Sequence, residues 1–417
     1  MKKIKNVVIF GGGTVSHIAN HFAIAAPAYG TTARMLDNMC REKFDTCNII
    51  THLTKMAGGF QIETTSDLNK VVDQVIADLN TKVVFFSCAV ADYKPISATR
   101  DGEHLSKLSK NDFRLETSED KRIDITCVPD DKIINRIRKE RKDIFLVGFK
   151  TTCGASKDEM YQKGLNLCKK ASVNLVLVND TKTYWNMIVT PEEAAYHETV
   201  DRRDVLKQLV DMAFHRSHLT FTQSTVVEGK PVDWNDHRVP SSLRTVVNYC
   251  INKNAYKVFN NATVGHFAVK LSDTEFLTSI RKSNFNNLDK TGLVYVKTDG
   301  PDTVLAYGAK PSVGGQSQRI VFKDHPGMDC IVHFHCPIRV DHKDKIITKS
   351  QREVECGSHQ CGKNTSDGLK QFGNLKAVYL DQHGPNIVFN RNIDPQEVID
   401  FIERNFDLSQ KTGGYNI

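Results

Sequence analysis

The first half of the sequence alternates short apolar runs with amphipathic stretches, and this alternation constrains the fold more than any other feature. Strand-length runs that alternate with helical patterns are typical of βαβ units, in which helices cover both faces of a parallel sheet. The predicted strands are Asn6–Phe10, Thr46–Ile50, Lys82–Cys88, Ile144–Phe149 and Leu175–Val178. The predicted helices are Asp67–Leu79, Lys132–Lys142, Lys157–Lys170 and Arg203–His215. We therefore predict an α/β domain built on a parallel sheet.

The length of 417 residues predicts two domains, because a single core usually stops growing at about 250–300 residues. The polar stretch Gln223–Arg238 contains the turn signal Glu228–Pro231 and favours a boundary near residue 218. We therefore expect domains over residues 1–218 and 219–417. In the second domain the predicted helices are Ser241–Asn252, Ser317–Lys323 and Asp394–Phe406, and the predicted strands are Phe267–Leu271, Gly292–Lys297, Thr303–Tyr307, Ile331–His335 and Ala377–Leu380.

Charge and apolar content argue against some classes of function. The net charge of +7 is spread over the chain, and the densest basic stretch, Arg136–Lys142, has the spacing of a solvated helix face. We therefore expect no nucleic-acid partner, and small phosphorylated ligands suit the charge better. No run approaches the ~18 apolar residues of a membrane span, and Val7–Phe10 is expected to be a strand and not part of a signal peptide. Eleven cysteines at irregular spacings predict reduced thiols and a cytoplasmic protein.

Glycine and polar residues follow several predicted strands of the first domain. Glycines after a first strand allow the backbone to approach a phosphate, and open α/β sheets bind ligands at the carboxyl ends of their strands. A purely structural glycine turn is about as common, so the pattern alone leaves both interpretations open. The residues concerned are Gly11, Gly12, Gly13, Thr14, Asp92, Phe149, Lys150, Asn179 and Asp180.

These residues belong to four segments that follow one another in a characteristic order. The segments are Gly11-Gly12-Gly13-Thr14, Ala89-Val90-Ala91-Asp92-Tyr93, Leu146-Val147-Gly148-Phe149-Lys150 and Val178-Asn179-Asp180. Together they resemble phosphopantothenoylcysteine synthetase, over roughly residues 5–215. The resemblance implies a Rossmann-like fold and an acid–amine ligase of coenzyme A synthesis. Such a ligase activates a carboxylate with CTP or ATP, accompanied by Mg²⁺, before cysteine attacks.

Two further segments extend this resemblance. Ile18–His21 is similar to the family's Ile-x-Asn segment, and Ser106–Lys110 stands where the family has a lysine-rich flap. A lysine there neutralises triphosphate charge. The chain departs from the family at Phe22–Ile24, where the family has a Ser-Ser-Gly turn. The resemblance implies that the strand-end residues bind nucleotide, that Asn20 and Lys110 join them, and that Asn179 and Lys107 are catalytic.

A wide-set histidine triad lies in the second domain. His333 and His335 lie in an apolar run, where alternation of side chains puts both imidazoles on one face of a strand. His383 follows another apolar run and precedes a glycine. Three protein ligands and one open position are typical of a catalytic zinc site, so these residues predict a site for zinc or another divalent transition metal. Three other histidines are expected to be structural, namely His325, His342 and His359.

The segments around the triad are similar to the motifs of one family. They are Val264–Lys270, Phe276–Ser279, Pro311-Ser312, His333-Phe334-His335 and Asp381–Gly384. In order and spacing they resemble the class II aldolase and adducin head family, over roughly residues 240–410. The resemblance implies an α/β/α fold and a metal-dependent lyase that acts on a small phosphorylated substrate. The implied phosphate or substrate residues are Gly265, His266, Thr278, Ser279 and Ser312.

The proton carrier of that family has no direct counterpart here. Cleavage of a carbon–carbon bond leaves negative charge that a divalent cation stabilises, and it also needs a residue that carries a proton. The family uses a Glu shortly after Pro-Ser-Ser, and Gly314 falls at that position. Gln316 is the nearest polar residue, and we predict that it has the catalytic role, although its amide does not titrate. Glu353 or Glu355 is an alternative source of a carboxylate.

Three functions are consistent with these motifs. The first is a fused metabolic enzyme with a lyase domain and a ligase domain, and both resemblances imply a homo-oligomer, either a dimer or a tetramer. The second is a non-catalytic scaffold of the adducin-head type that binds nucleotide and metal. The third is a chain in which only the N-terminal half is active, as an acyl-nucleotide ligase. The Gly-rich tail around Tyr415 is expected to be disordered.

Overall fold

The computed structural model describes residues 4–105, 108–111, 114–115, 122–342 and 344–415, and for residues 313–317 the backbone alone. The strands of the N-terminal half are β1 (Asn6–Gly11), β2 (Val15–Ala19), β3 (Phe22–Ala25), β4 (Asn48–Leu53), β5 (Thr81–Phe86), β6 (Tyr93–Arg100), β7 (Glu103–His104), β8 (Ile123–Pro129), β9 (Phe145–Thr152), β10 (Leu175–Asp180), β11 (Asn186–Val189) and β12 (Ala195–Thr199). The helices are α1 (Thr31–Lys43), α2 (Thr65–Ala77), α3 (Ile133–Glu140), α4 (Lys157–Ala171) and α5 (Arg202–Ser217).

The first sheet has the strand order β12-β11-β10-β9-β5-β1-β4. Strands β4, β1, β5, β9 and β10 are parallel, while β11 and β12 complete one edge in antiparallel pairing. Each predicted strand and helix of this half is present, with bounds shifted by a few residues. The predicted fold class, an α/β domain with helices on both faces of a mainly parallel sheet, is confirmed.

Side-chain alternation along β1 shows how the helices cover both faces. Val7 and Ile9 pack in a core with α1 and α5, whereas Val8 and Phe10 pack in a second core with α2, α3 and α4. All four side chains are at most 1% exposed. Burying an apolar side chain of this size contributes roughly 1.5–3 kcal/mol, so the near-continuous apolar strands stabilise a two-sided sheet.

A mainly antiparallel sheet forms the C-terminal half, in the order β13-β19-β18-β17-β16-β20-β24-β23-β21, with β22 paired to β23. Its strands are β13 (Gln223–Val227), β14 (Val258–Phe259), β15 (Ala262–Thr263), β16 (His266–Lys270), β17 (Glu275–Ser279), β18 (Leu293–Thr298), β19 (Thr303–Tyr307), β20 (Cys330–His333), β21 (Thr348–Lys349), β22 (Lys370–Phe372), β23 (Leu375–Leu380) and β24 (Gly384–Phe389). The helices are α6 (Ser241–Asn252), α7 (Leu288–Thr291), α8 (Val313–Asp324), α9 (His359–Gly368) and α10 (Pro395–Asn405).

Helices cover both faces of this second sheet as well. Helices α6 and α10 pack on one face in the largest core of the half, and α8 packs on the other face beside α9. The layers are therefore α/β/α, as predicted. Among the described residues, no helix combines the length and the apolar character needed to cross a membrane.

Several elements were not predicted from the sequence. They include α1, the hairpin β2–β3, the antiparallel group β6–β8, the edge strands β11 and β12, and helix α9. The polar stretch that was expected to link the domains begins with β13, which pairs in parallel with β19 at the edge of the second sheet. Short edge strands with mixed polar composition carry little periodic signal, because only one of their sides is paired and buried.

The C-terminal tail corrects the expectation of disorder. Tyr415 is 8% exposed, and its ring stacks on Tyr161 of α4 with centroids 4.7 Å apart. Lys411 is also buried, and its Nζ donates a hydrogen bond to the Tyr161 hydroxyl at 2.7 Å. The tail therefore leaves the second sheet and packs into the core of the N-terminal half.

Candidate metal centre between the two halves

The histidine triad lies at one end of the neighbouring strands β20, β24 and β23 of the second sheet. His333 ends β20, His335 follows two residues later, and His383 lies in the turn between β23 and β24. The predicted strand was therefore two residues too long. Gly384 has φ 121°, and a Cβ there would lie 2.1 Å from the Phe334 carbonyl oxygen, so a glycine is required where the two loops meet.

The three imidazoles converge as a metal site requires. One ligand atom from each of His333, His335 and His383 lies within 4.8 Å of the others, and the ring centroids are 4.5 to 4.9 Å apart. The three residues are 1%, 5% and 3% exposed. The geometry thus brings together the three ligands that the sequence predicted.

Hydrogen bonds determine which nitrogen of each ring faces the centre. The Nδ1 atom of His333 lies 2.7 Å from the Pro385 carbonyl oxygen, and that of His383 lies 3.4 Å from the Glu192 carbonyl oxygen. The Nδ1 atom of His335 lies 2.7 Å from Glu193 Oε2. Carbonyl and carboxylate oxygens accept hydrogen bonds, so the Nδ1 atoms of His333 and His335 carry the proton and their Nε2 atoms keep a lone pair, whereas the His383 contact is longer.

The arrangement fits a divalent cation. The Nε2 atoms of His333 and His335 are 3.1 Å apart, so their lone pairs would repel unless a proton or a cation lies between them, and the third imidazole nearby suits a divalent cation. Burial, together with the neighbouring histidines, lowers the pKa of His333 well below its usual range, so this ring is neutral at physiological pH. Neutral imidazoles are the form that binds zinc and similar ions.

A fourth histidine lies beside the triad. His266 pairs in register with His333 across β16 and β20, and the two rings are 4.7 Å apart. Its Nδ1 contacts the Gln318 side-chain amide, and burial lowers its pKa to about 3. His266 therefore forms a neutral wall of the site.

An acidic turn from the N-terminal half completes the surroundings of the triad. Glu192 and Glu193 lie between β11 and β12, and they are 5% and 1% exposed. Glu193 pairs with Lys169 at 2.7 Å, and Glu192 pairs with Arg216 at 3.1 Å. Burial alone would raise the pKa of Glu193, but the charge of Lys169 and the contact with His335 hold it well below its usual range.

The triad opens into a cavity of about 710 Å³ that both halves line. Lys169, Lys170 and Asn174 line it from the N-terminal half, and Arg281 and Glu355 line it from the C-terminal half. A cavity of this size, with charged groups of both signs, suits a small polar metabolite.

Glu355 is the carboxyl group in this cavity with a raised pKa. Burial and the negative charge of Glu192 raise its pKa to about 7, and the Asn174 amide donates to both carboxylate oxygens at 3.1 Å. The Arg216 charge holds the pKa of Glu192 below its usual value despite burial, so Glu355 is the member of this pair whose pKa lies near neutral pH. A group that titrates near pH 7 is suited to give and take protons.

The residues expected to contact substrate or phosphate divide into two groups. Gly265, His266 and Ser312 line the cavity. Thr278 and Ser279 lie beneath it with no exposed surface, and the Thr278 hydroxyl donates to the Phe267 carbonyl oxygen at 3.1 Å. Gln316 and Gly314 lie in the first turns of α8, where the structure describes the backbone alone.

Among the residues expected to bind nucleotide, Gly11–Thr14 and Asn179–Asp180 lie at the carboxyl ends of β1 and β10 in the first sheet, and several of them already have partners. The amides of Gly13 and Thr14 donate to the carbonyl oxygens of Ala28 and Ala89 at 2.8 and 3.0 Å. Gly12 has φ 100°, and a Cβ there would meet the Thr54 side chain. The glycine turn thus has a structural role, and these two amides are not free to bind a phosphate.

Asp180 is likewise used by the fold. Its buried carboxylate accepts hydrogen bonds from the Thr152 hydroxyl at 2.9 Å and from the amides of Ala155 and Thr183 at 3.0 and 2.8 Å. Burial opposes its ionisation, yet these bonds hold its pKa well below the usual range. Asp180 therefore organises the turns around α4 and β10.

Other predicted nucleotide residues keep accessible polar groups. Asn20 donates to the Lys110 carbonyl oxygen at 3.0 Å, so the hairpin β2–β3 contacts the predicted flap. The side-chain oxygen Oδ1 of Asn179 accepts from the Thr151 hydroxyl at 3.4 Å. Asp92 forms an ion pair with Lys132. Phe149 packs against the core of the first sheet, and Lys150 follows it on β9. Lys107 lies outside the described residues.

Sequence reasoning missed Glu193 and Lys169. Both residues belong to the N-terminal half of the chain and precede His335 by 142 residues or more. A Glu-Glu pair after Pro191 has the pattern of an exposed turn, so no local signal marks it as part of a metal centre.

Comparison with known proteins agrees with this architecture. Residues 3–208 match the family model of the DNA/pantothenate metabolism flavoprotein C-terminal domain, and residues 246–394 match that of the Class II Aldolase and Adducin N-terminal domain. The chain therefore joins a domain of the first type to a domain of the second, and both types are found in enzymes. The two resemblances inferred from the motifs are confirmed.

One curated relative and two solved structures illustrate the similarity. The coenzyme A biosynthesis bifunctional protein CoaBC of Thermococcus kodakarensis is 23% identical over 124 residues, which span 30% of this chain and 27% of that relative. The DNA/pantothenate metabolism flavoprotein from Streptococcus pneumoniae is 18% identical, with a TM-score of 0.42, over 50% of this chain and 97% of that one. An L-fuculose 1-phosphate aldolase is 15% identical, with a TM-score of 0.31, over 41% and 84%.

Proposed function

We propose that the C-terminal half is a metal-dependent catalytic domain of the lyase type that acts on a small phosphorylated substrate. The observation that carries this proposal is the convergence of three buried imidazoles, two of them oriented by short hydrogen bonds at Nδ1, on a cavity that is also lined by a titratable carboxyl group. His333, His335 and His383 would hold zinc or another divalent transition metal. When bound, the cation would supply Lewis-acid stabilisation of negative charge on substrate oxygens.

The chain's own groups would bind the substrate and move the proton. Arg281 and Lys282 line the cavity with Ser312, and their positive charge would attract a phosphate group. Glu355, in its ionised form, would accept a proton from the carbon next to the substrate carbonyl and later return it. This assigns to Glu355 the role that the residue at the Gly314 position has in the aldolase family, and it favours an enzyme over a scaffold of the adducin-head type.

Exchange of carbon-bound protons tests this proposal. With dihydroxyacetone phosphate in D₂O, the zinc-loaded protein is expected to replace a proton next to the carbonyl with deuterium, as observed by proton NMR. Because the base must be ionised, exchange should rise as the pH increases through about 7, the pKa of Glu355. We expect Glu355→Gln to slow exchange by about 10²- to 10⁴-fold while zinc content is unchanged.

Glu353 provides a matched control. Its side chain is exposed and pairs with Arg352, so Glu353→Gln should exchange at the wild-type rate. Equal exchange by the Glu355→Gln and wild-type proteins would reject Glu355 as the proton carrier. Absence of exchange in the zinc-loaded wild type would contradict the proposed lyase chemistry on a phosphorylated ketone.

We further propose that the N-terminal half binds CTP or ATP with Mg²⁺ at the carboxyl ends of the first sheet's strands, next to the contact between Asn20 and Lys110. Asn179 would hydrogen-bond the ligand, because its one described side-chain partner lies at a long 3.4 Å. Phosphopantothenate–cysteine ligase chemistry and assembly as a dimer or tetramer belong to this proposal.

Calorimetric titration with each nucleotide tests the N-terminal site. Asn179→Ala is expected to weaken binding by about 10-fold, since a lost hydrogen bond to a ligand costs about 1–2 kcal/mol. Asn135→Ala, an exposed change on α3, should bind as the wild type does. If neither CTP nor ATP binds the wild-type protein, the proposed nucleotide site is wrong.

A further inference from the structure

We infer that Glu193 of the N-terminal half is a positioning residue for the metal centre of the C-terminal half. Its carboxylate lies 2.7 Å from His335 Nδ1, and it would fix both the tautomer and the orientation of that ring. The inference rests on the proposed metal centre. It goes beyond that proposal, because a residue of the N-terminal half would then belong to the metal site of the C-terminal half.

The three ligands differ in how their outer nitrogen is held. The His333 and His383 rings face the backbone carbonyl oxygens of Pro385 and Glu192, whereas the His335 ring faces the Glu193 side chain. A carboxylate that accepts a hydrogen bond from Nδ1, the nitrogen facing away from the centre, increases the basicity of a ligand imidazole more than a carbonyl oxygen does. Glu193 is therefore placed to strengthen the His335 ligand in particular.

Several contacts hold Glu193 in this position. Lys169 Nζ lies 2.7 Å from Oε1, which leaves Oε2 for His335. The Tyr161 hydroxyl and Lys411 Nζ donate to the Glu193 carbonyl oxygen at 2.7 and 2.9 Å. The residue has φ 69°, a conformation that costs about 1–3 kcal/mol in a residue with a side chain and persists where the surroundings determine it.

These contacts join parts of the chain that lie far apart in sequence. Tyr161 and Lys169 belong to α4, Glu193 to the turn before β12, His335 to the loop after β20, and Lys411 to the C-terminal tail. The geometry therefore predicts that metal affinity reports on the packing of the two halves, and not on the C-terminal half alone.

Cobalt binding to the full-length protein tests the inference. Co²⁺ gives visible absorption bands that respond to the strength and geometry of its ligands, and its affinity can be measured by competition with a chelator. We expect Glu193→Ala to weaken Co²⁺ binding by about 10- to 100-fold and to shift these bands. Glu193→Gln keeps the shape and one acceptor oxygen but loses the charge, so its affinity should lie between those of Glu193→Ala and the wild type.

Thr152→Val is the control for stability. It removes the buried hydrogen bond from the Thr152 hydroxyl to Asp180 within the N-terminal half, and none of the contacts described above for Glu193 involves Thr152. We expect it to lower the unfolding temperature while Co²⁺ affinity stays within about threefold of the wild type.

The outcomes separate this inference from the proposed function. If the wild type binds Co²⁺ and Glu193→Ala binds it equally well with the same spectrum, Glu193 does not position His335. Equal weakening by Thr152→Val and Glu193→Gln would assign Glu193 a purely structural role and also overturn the inference. If the wild-type protein binds no Co²⁺, the metal centre itself is wrong, and the inference falls with it.

Discussion

Replacing His335 with alanine is expected to abolish stable metal binding and proton exchange in a chain that remains folded. The substitution removes one of three ligands, and two imidazoles with solvent are a much weaker site for a divalent ion. Loss of a group that only supports a ligand typically costs 10- to 100-fold in affinity, so loss of the ligand itself should cost more than about 100-fold.

Metal analysis after purification and dialysis measures this effect directly. The wild type should retain about one divalent ion per chain, and His335→Ala should retain almost none. His342 is the matched control, because its exposed ring contacts the Arg339 carbonyl oxygen in a surface loop. His342→Ala should keep the wild-type metal content. Unchanged metal content in His335→Ala would show that the triad is not the metal site.

Replacing Arg216 with alanine is expected to lower the free energy of unfolding by about 3–5 kcal/mol. The guanidinium is 1% exposed, pairs with Glu192 at 3.1 Å, and donates to the carbonyl oxygens of Gln351 and Arg352 at 2.9 Å. Its removal leaves the buried Glu192 charge and two carbonyl groups without partners. The loss of stability arises mainly from these unpaired buried groups and not from the intrinsic strength of the ion pair.

Chemical denaturation followed by circular dichroism measures the loss. Unfolding of a chain with two sheets need not be two-state, so the transition that shifts should be identified with a second probe such as metal release. Arg203→Ala on the same helix α5 is the control, because Arg203 is exposed and should change stability by no more than about 0.5 kcal/mol. Equal stability of Arg216→Ala and the wild type would contradict this account of the buried pair.

Arg216 also connects stability with the site. Its partner Glu192 faces His383 through the backbone carbonyl oxygen and accepts from the Cys356 amide at 2.8 Å. The same ion pair keeps Glu192 charged, and this charge raises the pKa of Glu355. A change at Arg216 should therefore lower the stability of the contact between the two halves and also shift the pKa of Glu355. Arg216 itself is part of neither the triad nor the cavity lining.

Periodic elements were predictable from the sequence because their pattern is local. Strand β1 and helix α6 were recognised since their apolar residues recur with the period of a strand or of a helix, and each such residue enters a core. The histidines of the triad were predictable for a similar reason. His333 and His335 are two residues apart, and His383 lies next to a glycine that the turn requires.

The supporting residues were not predictable, because their roles depend on contacts between distant segments. Glu193 has ordinary surroundings in the sequence, and the packing of the two halves brings its carboxylate to within 2.7 Å of His335. The packing of the C-terminal tail was not predictable either. A Gly-rich segment predicts disorder, yet Tyr415 stacks on Tyr161 across the junction.

The sequence by itself determined the two α/β halves and the three histidines of the triad, since these follow from local periodicity and spacing. The tertiary structure decided that the glycine turn serves packing, that Glu355 occupies the cavity, and that an acidic turn of the N-terminal half holds His335. The physical reason is that hydrogen bonding and burial set the charge and orientation of a side chain, and both depend on neighbours that the linear sequence does not identify.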